Sequence, residues 1–169
     1  MRHFVRVLVA VTSVLTVFTI SNASGPVQAG GGGTAVADAA FVRRMLFSTS
    51  MSAFTAAAKA HAGPDGQADD VWFDWTADLC SAPLVGNTGR SFDFTEPCRR
   101  HDFGYRNTKL LDQRYGHGKY WNARARLKID RQFLEDMKHH CKSRRLIDHP
   151  TCDAWAYTFY SAVRVAGGP

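Results

Sequence analysis

Four cysteines, Cys80, Cys98, Cys141 and Cys152, constrain the fold of this 169-residue chain more than any other feature. An even count behind a leader-like N-terminus is the pattern of disulfides formed in an oxidising compartment, so two bridges and no free thiol are expected. Four cysteines allow three pairings. Joining neighbours, Cys80 to Cys98 and Cys141 to Cys152, closes two short loops and is the simplest. Histidines lie near, in Cys98-Arg99-Arg100-His101 and His139-His140-Cys141, but the chain has no Cys-x-x-Cys pair and zinc is the weaker reading.

The N-terminus accounts for the oxidising compartment. Arg2 and Arg6 lead into an apolar run from Val7 to Ile20, followed by small residues from Ser21 to Ala29, the order found in a secretory signal peptide. The run falls short of the ~20 residues that a membrane-spanning helix needs. Cleavage is expected after Ala23 or Ala29, with residues 1–29 as leader, 30–38 as a flexible linker opening on Gly30 to Gly33, and 39–169 as one domain outside the cell. At 45% apolar and 21% charged residues, the composition is that of a packed core and excludes a disordered chain. Loss of the leader removes two arginines, leaving 19 basic against 15 acidic residues and a charge of +4. That charge favours approach to an anionic surface such as a layer of phospholipid headgroups. The basic residues fall in scattered pairs, Arg43-Arg44, Arg99-Arg100 and Arg144-Arg145, instead of one stripe, so no nucleic-acid partner is expected.

The periodic segments read as helices. Asp38 is expected to cap a helix over 39–62, stopped by Gly63-Pro64-Asp65-Gly66, with Phe47, Met51, Phe54 and Ala58 as its core stripe. Residues 65–96 hold no period and read as a long, irregular, disulfide-tied loop. Thr95-Glu96-Pro97 opens a second helix, with Thr95 as the capping hydroxyl, and the pattern breaks over 112–118. A third helix over 122–142 repeats Ala123, Leu127, Asp130, Leu134, Met137 and Cys141, and a fourth over 151–165 is expected to bury Trp155, Phe159 and Val163. No segment shows strand alternation or a hairpin turn. The expected fold class is all-α: a small helical domain with two antiparallel core helices, two disulfides and a long loop.

Cys98, His101, Asp102 and Tyr105 share one side of the second helix at i, i+3, i+4 and i+7. Asp130 falls in the buried stripe of the third, and a buried carboxylate needs a partner. Across an antiparallel pair the simplest partner is His101, giving a carboxylate–imidazole dyad whose other ring nitrogen is basic enough to activate water. The competing readings are a purely structural pair, or a salt bridge from Asp130 to Arg100 or Arg126. Asp102 sits about 100° further round the helix and faces a neighbouring subsite. Carboxylate and backbone oxygens of the 73–80 loop suit Ca²⁺, and a Cys80–Cys98 bridge would bring Asp78 beside Asp102.

The strings FDWTADLCSAP, CRRHDFGYRN and KIDRQFLEDMKHHC, with the closing region from Cys152 to Tyr157, resemble the secreted phospholipase A2 family of bacterial and fungal type. The resemblance implies a phospholipase A2-like catalytic domain in which His101 is the general base and Asp130 orients it. It implies further that Asp102, the Asp78 carboxylate and the Leu79 carbonyl bind Ca²⁺. Water would attack the sn-2 ester of a glycerophospholipid at a membrane or micelle surface, releasing a lysophospholipid and a fatty acid. The protein is expected to be a monomer. The chain lacks the paired cysteines before His-Asp and the glycine-rich calcium loop of the animal secreted enzymes, and is similar to the smaller two-disulfide branch. Its 108–125 linker, with His117 and Trp121, is longer and more basic than the family pattern. Two other classes stand beside this one: a non-catalytic, calcium-dependent membrane-binding module on the same scaffold, and an extracellular metal phosphohydrolase or nuclease. The latter would want further metal ligands, and His139 and His140 lie well beyond Asp130.

Overall fold

The computed structural model describes residues 33–61, 72–80, 88–89 and 92–166; the expected leader and most of the glycine linker lie outside these, as does the Gly63 to Gly66 stop. Among the described residues the chain forms α1 (Ala35–Phe47), α2 (Met51–His61), β1 (Thr88–Gly89), β2 (Phe92–Asp93), α3 (Thr95–Tyr115), α4 (Ala123–Lys142) and α5 (His149–Ala166), with a short 3-10 turn at Leu146–Asp148. None of these helices is long and apolar enough to cross a membrane. The all-α class therefore holds, and both bridges join neighbouring cysteines, Cys80 to Cys98 and Cys141 to Cys152.

The one helix expected over 39–62 is two. Ser48, Thr49 and Ser50 divide it: the Thr49 hydroxyl donates back to the Arg44 carbonyl, and Ser50 Oγ accepts from the Ala53 N–H to start α2. Short hydroxyl side chains compete for backbone groups in this way and favour caps over helix interiors. Helix α1 starts inside the expected linker, capped by Thr34, whose hydroxyl accepts from the Ala37 N–H. Asp38 is not a cap but a buried acceptor for the Trp72 indole at 2.8 Å and the Tyr115 hydroxyl at 2.7 Å.

Two short strands interrupt the expected loop, pairing Thr88 with Asp93 and Gly89 with Phe92; two-residue strands are too brief to show alternation. Thr95 lies within α3, and its N–H is accepted by Asp93. Helix α3 continues to Tyr115, so the expected linker shrinks to residues 116–122. Asp112 caps that connection by accepting the N–H groups of Gly118, Tyr120 and Trp121. Asn122, the expected start of the third helix, is the cap of α4, its side chain accepting the N–H groups of Arg124 and Ala125. The buried stripe of α4 runs through Ile129, Asp130, Phe133, Met137 and Cys141; Ala123 is exposed, and Leu127 and Leu134 are half-buried. On α5, Phe159 is buried with Cys152 and Ala156, while Trp155 and Val163 are half-buried.

Helices α3 and α4 run antiparallel, since Arg100 meets Asp136 and Tyr105 meets Arg126. Gly104 makes their close approach possible: a Cβ there would stand 2.8 Å from Leu46 and 2.9 Å from Ile129. On one side of α3 the aromatic rings of Phe41, Phe54, Phe73, Trp75 and Phe103 form a core with α1 and α2. On the other, Phe94, Phe133, Met137 and Phe159 pack around both disulfides. The candidate site lies where the second core meets the middle of α3.

Candidate active site

His101 and Asp130, one turn or more inside their helices, are buried and face each other, with His101 Nε2 2.8 Å from Asp130 Oδ1. An ionised carboxylate only accepts, so Nε2 carries the proton and Nδ1 is the unprotonated nitrogen of the neutral ring. The ring is clamped between Tyr105, at 4.2 Å between centroids, and Phe133, at 4.8 Å. Tyr105 follows His101 by four residues, so one helix face delivers both groups. Its hydroxyl donates to Asp130 Oδ1 at 2.6 Å and accepts from Arg126 Nε at 3.2 Å.

The second oxygen of Asp130 is held by Arg164 at 2.6 Å, with Arg126 Nε at 3.7 Å. Arg126 also donates to the Val163 and Arg164 carbonyls and so fastens the end of α5 over the dyad. Burial pushes the Asp130 carboxyl up, but the bonds from His101, Tyr105 and Arg164 outweigh it and hold the group below its ordinary value. Burial, with donation to Asp130, pushes the Tyr105 hydroxyl well above its usual range and keeps it a donor. Of the competing salt bridges, Arg126 does reach Asp130, whereas Arg100 is committed to Asp136 at 3.3 Å and to the Thr49 carbonyl at 2.9 Å.

Asp102 lies beside the dyad, and its Oδ2 accepts the Leu79 N–H at 2.7 Å. Burial raises its carboxyl to about 6, against the lowering influence of His101, Leu79 and Arg106. The Cys80–Cys98 bridge, with Cα atoms 5.4 Å apart, brings the loop to this point. Asn107 holds it from the other end: its side chain accepts the Asp74 N–H at 2.8 Å and donates to the Asp74 carbonyl at 2.7 Å. Between these two fixed points Leu79 adopts φ of 59°, the left-handed region that side chains other than glycine rarely enter. The Asp78 carboxylate is 76% exposed and bound by Arg106. Thus the structure brings Leu79 to Asp102, while Asp78 is turned to Arg106. Among the described residues no group of three or more His, Cys, Asp or Glu side chains is gathered around one point.

A cavity of about 190 Å³ opens at this site. His101, Asp102 and Leu79 line one part, and Phe133, Phe159 and Val163 another, so a polar reactive corner meets an apolar wall. Sequence reasoning placed Tyr105 on the right face without a role and missed Arg164 and Asn107. The i+4 spacing from His101 was a usable signal for Tyr105 and the i−4 spacing from Asp130 for Arg126. Arg164 has none, because only the packing of α5 on α4 brings it to the dyad.

The fold and site together define a class: a disulfide-stapled helical domain with a histidine–aspartate pair beside a mainly apolar cavity. The model of the prokaryotic phospholipase A2 family matches residues 42–167. A secretory phospholipase A2 of Arthroderma benhamiae is 33% identical over 132 residues, covering 76% of this chain and 78% of that protein. One of Beauveria bassiana is 32% identical over 125 residues, covering 74% of this chain and 56% of that protein. The chain belongs to the prokaryotic phospholipase A2 family.

Proposed function

We propose that this protein is a secreted, calcium-dependent phospholipase A2 that hydrolyses the sn-2 ester of glycerophospholipids to a lysophospholipid and a free fatty acid. The observation that carries the reading is the 2.8 Å His101–Asp130 pair, with His101 on the wall of the cavity and Asp130 buried behind it. His101 Nδ1 takes the proton of a water as its oxygen attacks the sn-2 carbonyl, and later returns it to the departing alkoxide. Asp130 keeps Nε2 protonated and balances the imidazolium that forms; Tyr105 and Arg164 keep Asp130 in place. No covalent nucleophile is needed. The apolar wall formed by Phe133, Phe159 and Val163 suits an acyl chain.

The donors around Asp102 fit a hard cation in kind, since Asp102 and the Leu79 carbonyl offer oxygen only. Asp102 is half-buried, and the one group bonded to its carboxylate is the Leu79 N–H, with His101 and Arg106 acting from further off. Asp78, Leu79 and Asp102 would hold Ca²⁺, with Asp78 exchanging Arg106 for the metal. Bound there, Ca²⁺ supplies positive charge for the substrate phosphate and for the ester oxygen that becomes negative.

Residues 1–29 serve as the signal peptide in this reading, and the mature protein acts on a membrane or micelle as a monomer. The test is release of fatty acid from defined phosphatidylcholine with Ca²⁺ or excess chelator. Fatty acid from the sn-2 position only, and only with Ca²⁺, is the expected result. Undiminished hydrolysis in chelator would remove the metal from the reading, and no release of fatty acid in either condition would overturn it.

A further inference from the structure

The large apolar side chains most open to solvent among the described residues include Leu146, 82% exposed, and Ile147, 80% exposed. Single exposed aliphatic residues are ordinary on a protein surface, as Val36 and Val165 are here. Leu146 and Ile147 differ in being adjacent, on the 3-10 turn that joins α4 to α5. The turn is held firmly. The Cys141–Cys152 bridge closes its base, and the Arg144 N–H donates to the Cys141 carbonyl. His149 Nε2 lies 3.0 Å from the Arg144 carbonyl, and Arg145 pairs with Asp148 at 3.2 Å. Core packing does not explain such a device, because a chain that only needed to turn here gains nothing from presenting two aliphatic side chains to water.

The charges around the pair identify what would cover it. Lys142, Arg144 and Arg145 flank it and are exposed, and the one acid within residues 142–149, Asp148, is already paired. An apolar tip with exposed cations leading into it is complementary to a surface with anionic headgroups outside and acyl chains beneath. We propose that the disulfide-closed turn between α4 and α5 is a membrane anchor. It inserts Leu146 and Ile147 at the headgroup–acyl boundary of an anionic phospholipid surface, while Lys142, Arg144 and Arg145 contact phosphates. The choice of a lipid as partner rests on the phospholipase reading above.

The experiment uses vesicles of diether phosphatidylglycerol or diether phosphatidylcholine, whose ether links cannot be hydrolysed, with Ca²⁺ present. Binding is read by co-sedimentation of the wild type, the double variant Leu146→Ser with Ile147→Ser, and the double variant Arg144→Gln with Arg145→Gln. The wild type is expected to prefer the anionic vesicles. The serine variant should lose at least about tenfold in affinity for them. The glutamine variant should lose most of the preference for anionic lipid and its sensitivity to salt. All four side chains are exposed and the Arg145–Asp148 pair lost in the glutamine variant is a surface one, so thermal midpoints should change little, and hydrolysis of monomeric short-chain phosphatidylcholine should be that of the wild type. A protein that releases no fatty acid from ester lipid yet shows this binding pattern would sink the catalytic reading and leave the anchor standing. Unchanged vesicle binding by both variants overturns the anchor. So does a wild-type dimer that the serine variant dissociates while its vesicle binding persists.

Discussion

Asp130 serves two masters, the imidazole of His101 on one oxygen and the guanidinium of Arg164 on the other. Salt bridge and dyad were rival readings of the sequence, and the geometry joins them in one network. Substitution of Asp130 by Asn should therefore lower both kcat and the thermal midpoint. His101→Ala should lower kcat by roughly 10²–10⁴ and stability far less. The two effects on kcat should not add, because an orienting group has nothing to orient once the base is gone. Kinetics per folded molecule and thermal melts on both single variants and the double variant check this. The same network makes a prediction in acid. The folded-state Asp130 carboxyl lies below its ordinary value of 3.8. Its contribution to stability is therefore complete above that value and is lost as pH falls through the lower, folded one. Melting curves from neutral pH down to about 3 should show the wild type losing its advantage over Asp130→Asn in that acid window. A constant difference would mean that the carboxylate charge is not what the network uses.

Helix α3 carries most of the site, and Gly104 decides how near its neighbours can stand. A methyl group there would collide with Leu46 and with the branched side chain of Ile129. Overpacking costs about 1–3 kcal/mol, while alanine gains about 1 kcal/mol over glycine in a helix interior. Gly104→Ala should thus be destabilised by up to about 2 kcal/mol, seen as a lower urea midpoint at unchanged m-value. The helices themselves are legible because Leu127, Leu134, Met137 and Cys141 repeat at helical spacing, and the buried acid at Asp130 is visible for the same reason, although Phe133, and not Leu134, takes the buried position. The break between α1 and α2 was not, because Phe47, Met51, Phe54 and Ala58 stay in phase across the Ser48-Thr49-Ser50 run that divides them. The 65–96 segment carries no period in the sequence, and its described stretch from Trp72 to Cys80 is irregular, with the two short strands following. Its firm attachment was hidden, since Asn107 acts through side-chain bonds to the backbone of Asp74 that leave no period in the sequence. Arg164 was hidden too, because its place depends on how α5 lies against α4.

Among the described helices most neighbours in space are neighbours in sequence, since α3 packs on α2 and α4 packs on both α3 and α5; α1 is the exception and skips α2 to pack on α3. The candidate site needs only this short-range wiring, plus the loop brought in by Cys80. The two bridges obey the same rule, spanning 18 and 11 residues of sequence. Either rival pairing would have to close two loops of roughly 40 residues or more, at a combined entropic disadvantage of about 2–3 kcal/mol. An unfolded, reduced chain is thus biased toward its correct cross-links before any tertiary contact forms. Oxidation of the denatured protein in glutathione buffer, followed by peptide mapping, should yield mostly the native pairing even with urea still present. Scrambled isomers in equal amounts would show that the native fold selects the pairs. The locality of the bridges, so described, is a tolerance for being made under poor conditions: the covalent map can be written correctly while the architecture is still absent, without a helper to erase mistakes.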